Sequence, residues 1–427
     1  MSGNERKHPA GMAEQRAVLS LGELVWWLLI SFLVLYGVLF IYSTGYISED
    51  YPVRATWTRH IVWCGTGVLL AWGASRLTAH GLAMRWLTWA GYVGSLLLLT
   101  LVLVFGTTIG GARRWLVIGS LMLQPAEFAK VFTMLAVCRL ASPDGDLARK
   151  WWRYFLLLPI IGVPFALIVV EPSFGNAFSL LPGSFAVLGV RFAWRPLWTL
   201  VMLLLIVGLV GGGIMLTRVR SGEGLSMSFS QENSFFRSYH LSRMANYLTP
   251  AGGWNERQSM MTLASGGMTG KGYLNGTMKS LGYLPRTVAP TDFIFSVIGE
   301  EMGFAFGSLP VLLAYMILVA IGLHWGAYTK DGIAMLNCVA LMTLVCTHVL
   351  VNVGMTVRLI PVIGLPLPFL SYGGSFTLSM FLALGFVWGV GRRNAMQSKE
   401  RIPIKVAESE FCINLLNLFK LTIKTKP

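Results

Sequence analysis

Charge is scarce in this sequence. Only 12% of its 427 residues are charged, and acids are the rarer sign, 19 against 34 lysines and arginines. A chain so poor in charge, 55% hydrophobic and with a mean hydropathy of +0.63, is neither a disordered segment nor an ordinary soluble globule, and it reads as a polytopic membrane protein. Cysteine is sparse too. Cys64, Cys138, Cys338 and Cys346 lie in apolar runs and Cys412 in the C-terminal tail, with no CxxC spacing. That pattern excludes a disulfide framework and a zinc site and leaves small buried hydrophobes. The six histidines lack HExxH spacing. No P-loop, GxSxG or paired-cysteine nucleophile signature appears. No internal repeat is visible, so the inverted repeats common in transporters are unsupported. Nor is a cleavable signal peptide evident: the chain is polar up to Leu21, and the first apolar run, Leu24 to Tyr42, is long enough to span a bilayer.

What is present is apolar length. Ten runs, at about 23–43, 58–76, 84–105, 124–140, 154–171, 174–192, 196–217, 291–324, 331–359 and 375–391, each approach the ~20 residues that a bilayer core requires. The expected fold is therefore an all-α polytopic membrane protein of ten transmembrane helices. One large extracytoplasmic loop, 218–290, separates helices 7 and 8, and tails at 1–22 and 393–427 lie on the other side. Lysine and arginine set the orientation. The tails and short loops on the N-terminal side hold 20 of them, the opposite short loops five, and the long loop, which the rule excludes, eight. Both termini are thus expected on the cytoplasmic side of the membrane, with the loop 218–290 outside. The net charge of +15 reflects this bias and attraction to anionic lipid headgroups, so membrane lipids and no nucleic acid are the expected partners. The apolar patch FCINLLNLFKLTI at 411–423 reads as an interfacial amphipathic helix.

Polar residues at hydrocarbon depth are costly, roughly 2.5–3.5 kcal/mol for a charge, and usually face a cavity or a partner. In QPAEFAKVFTMLAVCRL, Glu127 and Lys130 are three residues apart and share a helix face. They form either a structural ion pair or the lining of a cavity for an anionic substrate. Glu171-Pro172-Ser173 breaks the chain between spans five and six, where Glu171 is a snorkelling carboxylate or a partner for Lys130. In PTDFIFSVIGEE, Asp292 suits a helix start. On a helix, Glu300 would lie about 80° from Asp292 and Glu301 about 180°. That rotation puts Glu300 beside the same outward-facing cavity and Glu301 elsewhere. Gly211-Gly212-Gly213 marks a bend or a close helix contact near the end of span seven, and VIGLPLPFLSYGG, 362–374, an irregular loop lining a cavity.

TDFIFSVIGEEMG, GGARRWLVIGSLMLQPAEFAK and NVGMTVRLIPVIGLPLPFLSYGG, in this order and spacing over about 24–394, resemble the SEDS family: shape, elongation, division and sporulation proteins. GKGYLNGTMKSLGYLP is most similar to the rod-shape branch. The resemblance implies a ten-span enzyme that polymerises lipid II into peptidoglycan with inversion, and the family's proposed catalytic acid matches Asp292. Its expected role is general base toward the sugar hydroxyl. The leaving pyrophosphate needs no general acid but does need positive charge. Lys130 and Arg114 rank first for that task, then Arg113 and Lys271, or a divalent metal held by acids; no other cofactor is expected. Glu127, Glu171 and Glu300 complete the candidate substrate site. The resemblance also implies a class B penicillin-binding protein as partner, with spans eight and nine and the loop 218–290 as contact surfaces.

Three positions depart from the family pattern. Pro290 stands where His usually precedes Thr-Asp. Ser173 stands at the Asp of Gln-Pro-Asp-Leu-Gly, an Asp thought to pair with the span-four Lys, so Glu171 is expected to replace it. Arg358 stands where Gly usually precedes Leu-Leu-Pro. A lipid II flippase and a non-catalytic scaffold for the transpeptidase are the competing readings; flipping gives Asp292 no chemical task, whereas polymerisation requires it.

Overall fold

The computed structural model describes residues 21–46, 55–78, 81–109, 112–119, 121–142, 153–171, 173–192, 253–285, 288–400, 410–415 and 419–424. The chain is mostly helical. In order, the elements are α1 (Leu21–Gly45), α2 (Thr56–Leu77), α3 (Gly81–Phe105), β1 (Thr107–Ile109), β2 (Ala112–Ile118), β3 (Leu121–Leu123), α4 (Pro125–Ala141), α5 (Arg153–Val170) and α6 (Phe174–Phe192). After the long loop come α7 (Trp254–Ser265), α8 (Thr277–Ser280), α9 (Ile294–Gly303), α10 (Leu309–Tyr328), α11 (Gly332–Thr356), α12 (Gly374–Glu400), β4 (Glu410–Leu415) and β5 (Phe419–Lys424). A helix stands in every apolar range expected to span except 196–217. That range, with Gly211 to Gly213 and the first part of the long loop, lies outside the described residues.

Among the described residues five stretches are long and apolar enough to cross a membrane: Leu21–Gly45, Met84–Phe105, Ile294–Tyr328, Gly332–Thr356 and Gly374–Met396. Their environments differ. The α12 stretch is 89% buried and the α3 stretch 28%, so α12 runs through the middle of the bundle and α3 along its outside. Small residues let α12 approach α2. A Cβ on Gly385 would meet the Ala71 carbonyl oxygen at 2.5 Å, and one on Gly389 the Thr78 hydroxyl at 1.8 Å. The α4 helix has 17 residues, nearly all buried, so its surroundings are protein and it need not be uniformly apolar. Pro125 at its first turn has no N–H to leave unpaired. Asp331 caps α11, its Oδ1 accepting from the amides of Ile333 and Ala334 at 3.0 and 3.2 Å.

The segments expected on each side of the membrane gather at opposite ends. At one end Trp388 donates to Glu23 at 3.2 Å, Arg393 pairs with Asp331 at 3.0 Å, and Asn394 donates to the Trp325 carbonyl at 2.8 Å. At the other end lie the antiparallel sheet β1–β2–β3, the 362–374 segment and residues 266–284. The last of these forms a strap on α9. Phe304 and Ala305 amides donate to the Gly267 and Met268 carbonyls, and Lys271 and Gly272 amides to those of Glu300 and Glu301, at 2.8–3.0 Å. Gly303 and Gly270 both have positive φ, +71° and +79°, and a Cβ on Gly303 would stand 2.3 Å from the Gly270 nitrogen.

Three expectations are corrected. The loop between α3 and α4 is a small sheet, so the fold is not purely helical. The tail patch forms the antiparallel hairpin β4–β5 rather than an amphipathic helix. And Asp292 does not start a helix: residues 288–293 form turns, and α9 begins at Ile294. The rotation of about 80° between Asp292 and Glu300 therefore does not apply. From Ile294 to Tyr328 the 35 helical residues, with a π-helical turn at Phe304–Ser308, rise roughly 52 Å against a hydrocarbon core of about 30 Å. Glu300 and Glu301 lie in the second turn of α9, against the strap.

Candidate active site

The sheet end holds a cavity of about 230 Å³ lined by β2, the starts of α4, α6 and α12, and the segments around 291–292 and 363–373. Pockets that enclose drug-sized ligands measure about 300–1,000 Å³, so this one admits only the reacting parts of a large substrate. It brings together three of the residues singled out in the sequence: Asp292, Arg114 and Glu127. Gln124, Ser173, Asn176 and Tyr372 add further polar groups to the wall.

Alternation along β2 explains which arginine arrives there. Successive strand residues face opposite ways. Arg113 turns back to the end of α3, donating to the Leu103 carbonyl at 3.2 Å, while Arg114 lines the cavity. The β3–α4 corner is fastened to α12: the Gln124 amide donates to the Ser375 hydroxyl at 2.9 Å, which donates to the Met122 carbonyl at 3.2 Å. Glu127 follows in the first turn of α4, where the helix dipole favours an acid.

The backbone around Asp292 is held at three successive carbonyls. Pro290 accepts from the Tyr372 amide at 2.8 Å, Thr291 from the Ser371 hydroxyl at 2.5 Å, and Asp292 from the Asn352 side-chain amide at 3.0 Å. An irregular segment with no ladder or helix of its own is thereby fixed against α11 and the 362–374 loop. Its buried carbonyls are satisfied, as buried backbone groups must be.

Lys130 does not line the cavity. It is wholly buried beneath Glu127, 2.9 Å from its carboxylate, and donates to Asn176 Oδ1 at 3.0 Å and to His348 at 3.1 Å. Asn176 and His348 take two of the three N–H donors of the ammonium, and the Glu127 carboxylate pairs with its charge. The expectation that Lys130 faces the leaving group is therefore corrected: its positive charge supports Glu127 from below. The expected Glu171–Lys130 pair is also absent. Glu171 is buried with no hydrogen-bond partner on either oxygen, and the cation that acts on it is Arg114. The acceptor that α6 offers Lys130 is Asn176, one turn past Glu171 and Ser173.

Glu300 and Lys271 are displaced from the cavity for the reason already met at the start of α9. Glu300 Oε1 accepts from Lys271 at 2.7 Å, the Met278 amide at 2.9 Å and Thr277 at 3.2 Å, all in or beside the strap. Glu301 accepts from Ser43 of α1 at 2.6 Å and the Leu274 amide at 3.1 Å, and pairs with Lys279. Arg358 has φ +61° one residue past the α11 cap, where the Leu359 amide reaches the Gly354 carbonyl at 2.8 Å. This helix ending favours glycine, so the departure at 358 places a side chain on a left-handed residue. Pro290, another of the three departures, turns its carbonyl to the Tyr372 amide.

His348, Asn352 and Asn176 were passed over in the sequence. The signal that finds them is the same cost of polar groups at hydrocarbon depth, applied to neutral side chains as well as charged ones. His348 and Asn352 stand four apart on one face of α11. Among the described residues no group of three or more His, Cys, Asp or Glu gathers to hold a metal ion; Arg114 lines the cavity.

Residues 23–396 match the family model of FtsW, RodA and SpoVE, described as cell cycle proteins. A probable peptidoglycan glycosyltransferase FtsW of Coxiella burnetii is 31% identical over 378 residues, 82% of this chain and 91% of the relative. The peptidoglycan glycosyltransferase MrdB of Escherichia coli is 31% identical over 321 residues, 73% of this chain and 80% of the relative. Among solved structures, a chain from a peptidoglycan synthase complex, studied for its coordination of polymerization and crosslinking, superposes with a TM-score of 0.66 at 27% identity over 86% of this chain and 97% of that one. The rod shape determining protein RodA of Thermus thermophilus superposes with a TM-score of 0.58 at 27% identity, over 86% and 96%.

Proposed function

The chain belongs to the FtsW, RodA and SpoVE family, as a multi-pass membrane protein and a peptidoglycan glycosyltransferase, and from that premise we propose that it polymerises lipid II with Asp292 as general base. The observation that carries this reading is the shared cavity: one carboxylate on a clamped backbone and one arginine in a space of about 230 Å³. The 4-hydroxyl of an incoming GlcNAc loses its proton to the Asp292 carboxylate as its oxygen bonds to the anomeric carbon of a lipid-linked MurNAc. The bond from that carbon to the pyrophosphate oxygen breaks on the opposite face, which inverts the centre. Undecaprenyl pyrophosphate leaves as an anion, and Arg114 stands where positive charge steadies it. In this reading Glu127 and Asn176, which line the cavity, hydrogen-bond sugar hydroxyls.

In this reading ten helices cross the membrane. Both termini face the cytoplasm, and the loop 218–290, with the cavity, faces outward, where lipid II presents its sugars. The lysine and arginine distribution supports that orientation. The GKGYLNGTMKSLGYLP motif and the RodA and MrdB relatives favour a role in elongation and rod shape. The likeness to a chain of a peptidoglycan synthase complex supports a class B penicillin-binding protein as partner.

The test is polymerisation of lipid II by the purified chain, with and without that partner. Asp292→Asn keeps the size and removes the base, and glycan strand formation should fall by about 10²–10⁴-fold. Wild-type strand synthesis by a correctly inserted Asp292→Asn protein would refute the assignment. Lipid II transport without strand synthesis by the wild-type chain would favour a flippase.

A further inference from the structure

We propose that His348 is a positioning residue for the polymerisation reaction, joining Lys130 to the proline-rich segment that fixes Asp292; this rests on Asp292 being the base. The segment Leu365-Pro366-Leu367-Pro368-Phe369 lies in no helix or strand, and its two prolines have no N–H to donate. Its carbonyls are nevertheless buried, and side chains from the surrounding helices meet them. Asn352 donates to Leu365 at 2.8 Å, His348 to Pro366 at 3.2 Å, Tyr315 to Pro368, and His60 to Phe369 at 3.1 Å. Phe369 is held at φ +65°, a left-handed conformation that needs such outside support. The downstream part of the same loop, Ser371 and Tyr372, grips Thr291 and Pro290, and Asn352 grips both Leu365 and Asp292. Where the proline segment sits therefore decides where the Asp292 carboxylate sits.

Among these four donors His348 has a second bond in a different part of the site. A carbonyl only accepts, so the nitrogen facing Pro366, Nδ1, carries the proton. Nε2 is then an acceptor, and the donor 3.1 Å away is Lys130. Fully buried, the imidazole links α4 with the loop that clamps Asp292. The Phe376 ring lines the cavity and packs against both members of the link, 4.8 Å from the His348 ring centroid and 5.8 Å from the Lys130 nitrogen. Lys130 is thus satisfied without a carboxylate at position 173. Asn176 and His348 supply two neutral acceptors beside Glu127, and the imidazole passes the position of the ammonium on to the base.

Two substitutions separate positioning from packing. His348→Gln keeps one donor and one acceptor; His348→Leu keeps neither and has similar bulk. Each is introduced into the full chain and assayed with lipid II over a range of concentrations and pH. His348→Leu should lower kcat by roughly 10- to 100-fold, the loss expected when a reacting group is misplaced by about 1 Å. KM should stay within about threefold, and the acidic limb of the kcat–pH profile, which the base sets, should move. His348→Gln should recover kcat to within about threefold of wild type and restore the profile. Unchanged kcat in His348→Leu overturns the proposal, as does an equal loss in both variants, which marks the imidazole as packing alone. Asp292→Asn in the same assay keeps the two questions apart. If it polymerises normally, the base assignment falls by itself, whatever His348 does.

Discussion

Two sets of lysine–carboxylate pairs stand at the same end of this molecule and do different work. Lys130 and Glu127 are neighbours on one helix, three residues apart and 0% and 2% exposed. Lys279–Glu301 and Lys271–Glu300 join residues 22 and 29 apart in sequence, with Ser43 of α1 drawn in from 258 positions away. The first pair needs no loop closure, because the helix already places its members together. It leaves Glu127 at a cavity wall and hands the remaining donors of Lys130 to Asn176 and His348. The other two pairs exist only when the strap is folded, so they convert the attraction of opposite charges into closure of a long loop. A buried pair is weak evidence for net stability, yet breaking one by removing a partner is costly. That asymmetry makes the comparison testable.

The largest effect is expected at Lys130. Lys130→Met leaves Glu127 buried without its cation and unseats His348, so lipid II polymerisation should fall by more than about 100-fold and stability by about 3–5 kcal/mol. Steady-state polymerisation and thermal melting in detergent measure both. A Lys130→Met protein that polymerises at the wild-type rate would erase the distinction between the pairs. A smaller effect, on stability first, belongs to the strap. Lys279→Met should cost about 3 kcal/mol, because Glu301 keeps only Ser43 and the Leu274 amide. Lys271, 27% exposed, should cost about 1 kcal/mol on the same substitution, since solvent screens its pair. Limited proteolysis within 266–284 reports the opening, and equal sensitivity of the two variants would contradict the burial argument. The smallest effect is expected at Glu171. Among the described residues its carboxyl has no hydrogen-bond partner, so Glu171→Gln keeps the size and breaks no bond. Activity should stay within about threefold of wild type, with stability unchanged or higher. A loss approaching that of Lys130→Met would restore Glu171 as the lysine's partner.

Much of this architecture was legible in the residues. Apolar runs placed the helices, since length and hydrophobicity are local properties. The irregular loop at 362–374 followed from its prolines and glycines, and the Glu127–Lys130 pair from its spacing. Asp292 was found by motif resemblance together with its place at the mouth of a span. The failures share a cause. Glu300 was assigned to the cavity by extending a helix through Asp292, whereas the backbone turns until Ile294 and the carboxylate then meets a strap whose fold no helical wheel contains. The tail patch was read as a helix from composition and pairs instead as β4–β5. Glu171 was matched with Lys130 because the family's acid at position 173 is thought to pair with that lysine, whereas the acceptors that join Glu127 are neutral and come from 46 and 218 positions away.

By itself the chain of residues determined that most of this protein is helical, in which order the helices come, and which acid stands nearest a span mouth. Each of these depends on a window of about 20 residues or fewer. Tertiary structure alone decided which charges face the cavity and which are spent holding a strap. Those choices turn on hydrogen-bond partners drawn from distant elements. In a water-poor interior a polar group takes whichever acceptor the packing brings within about 3 Å, and sequence distance does not enter.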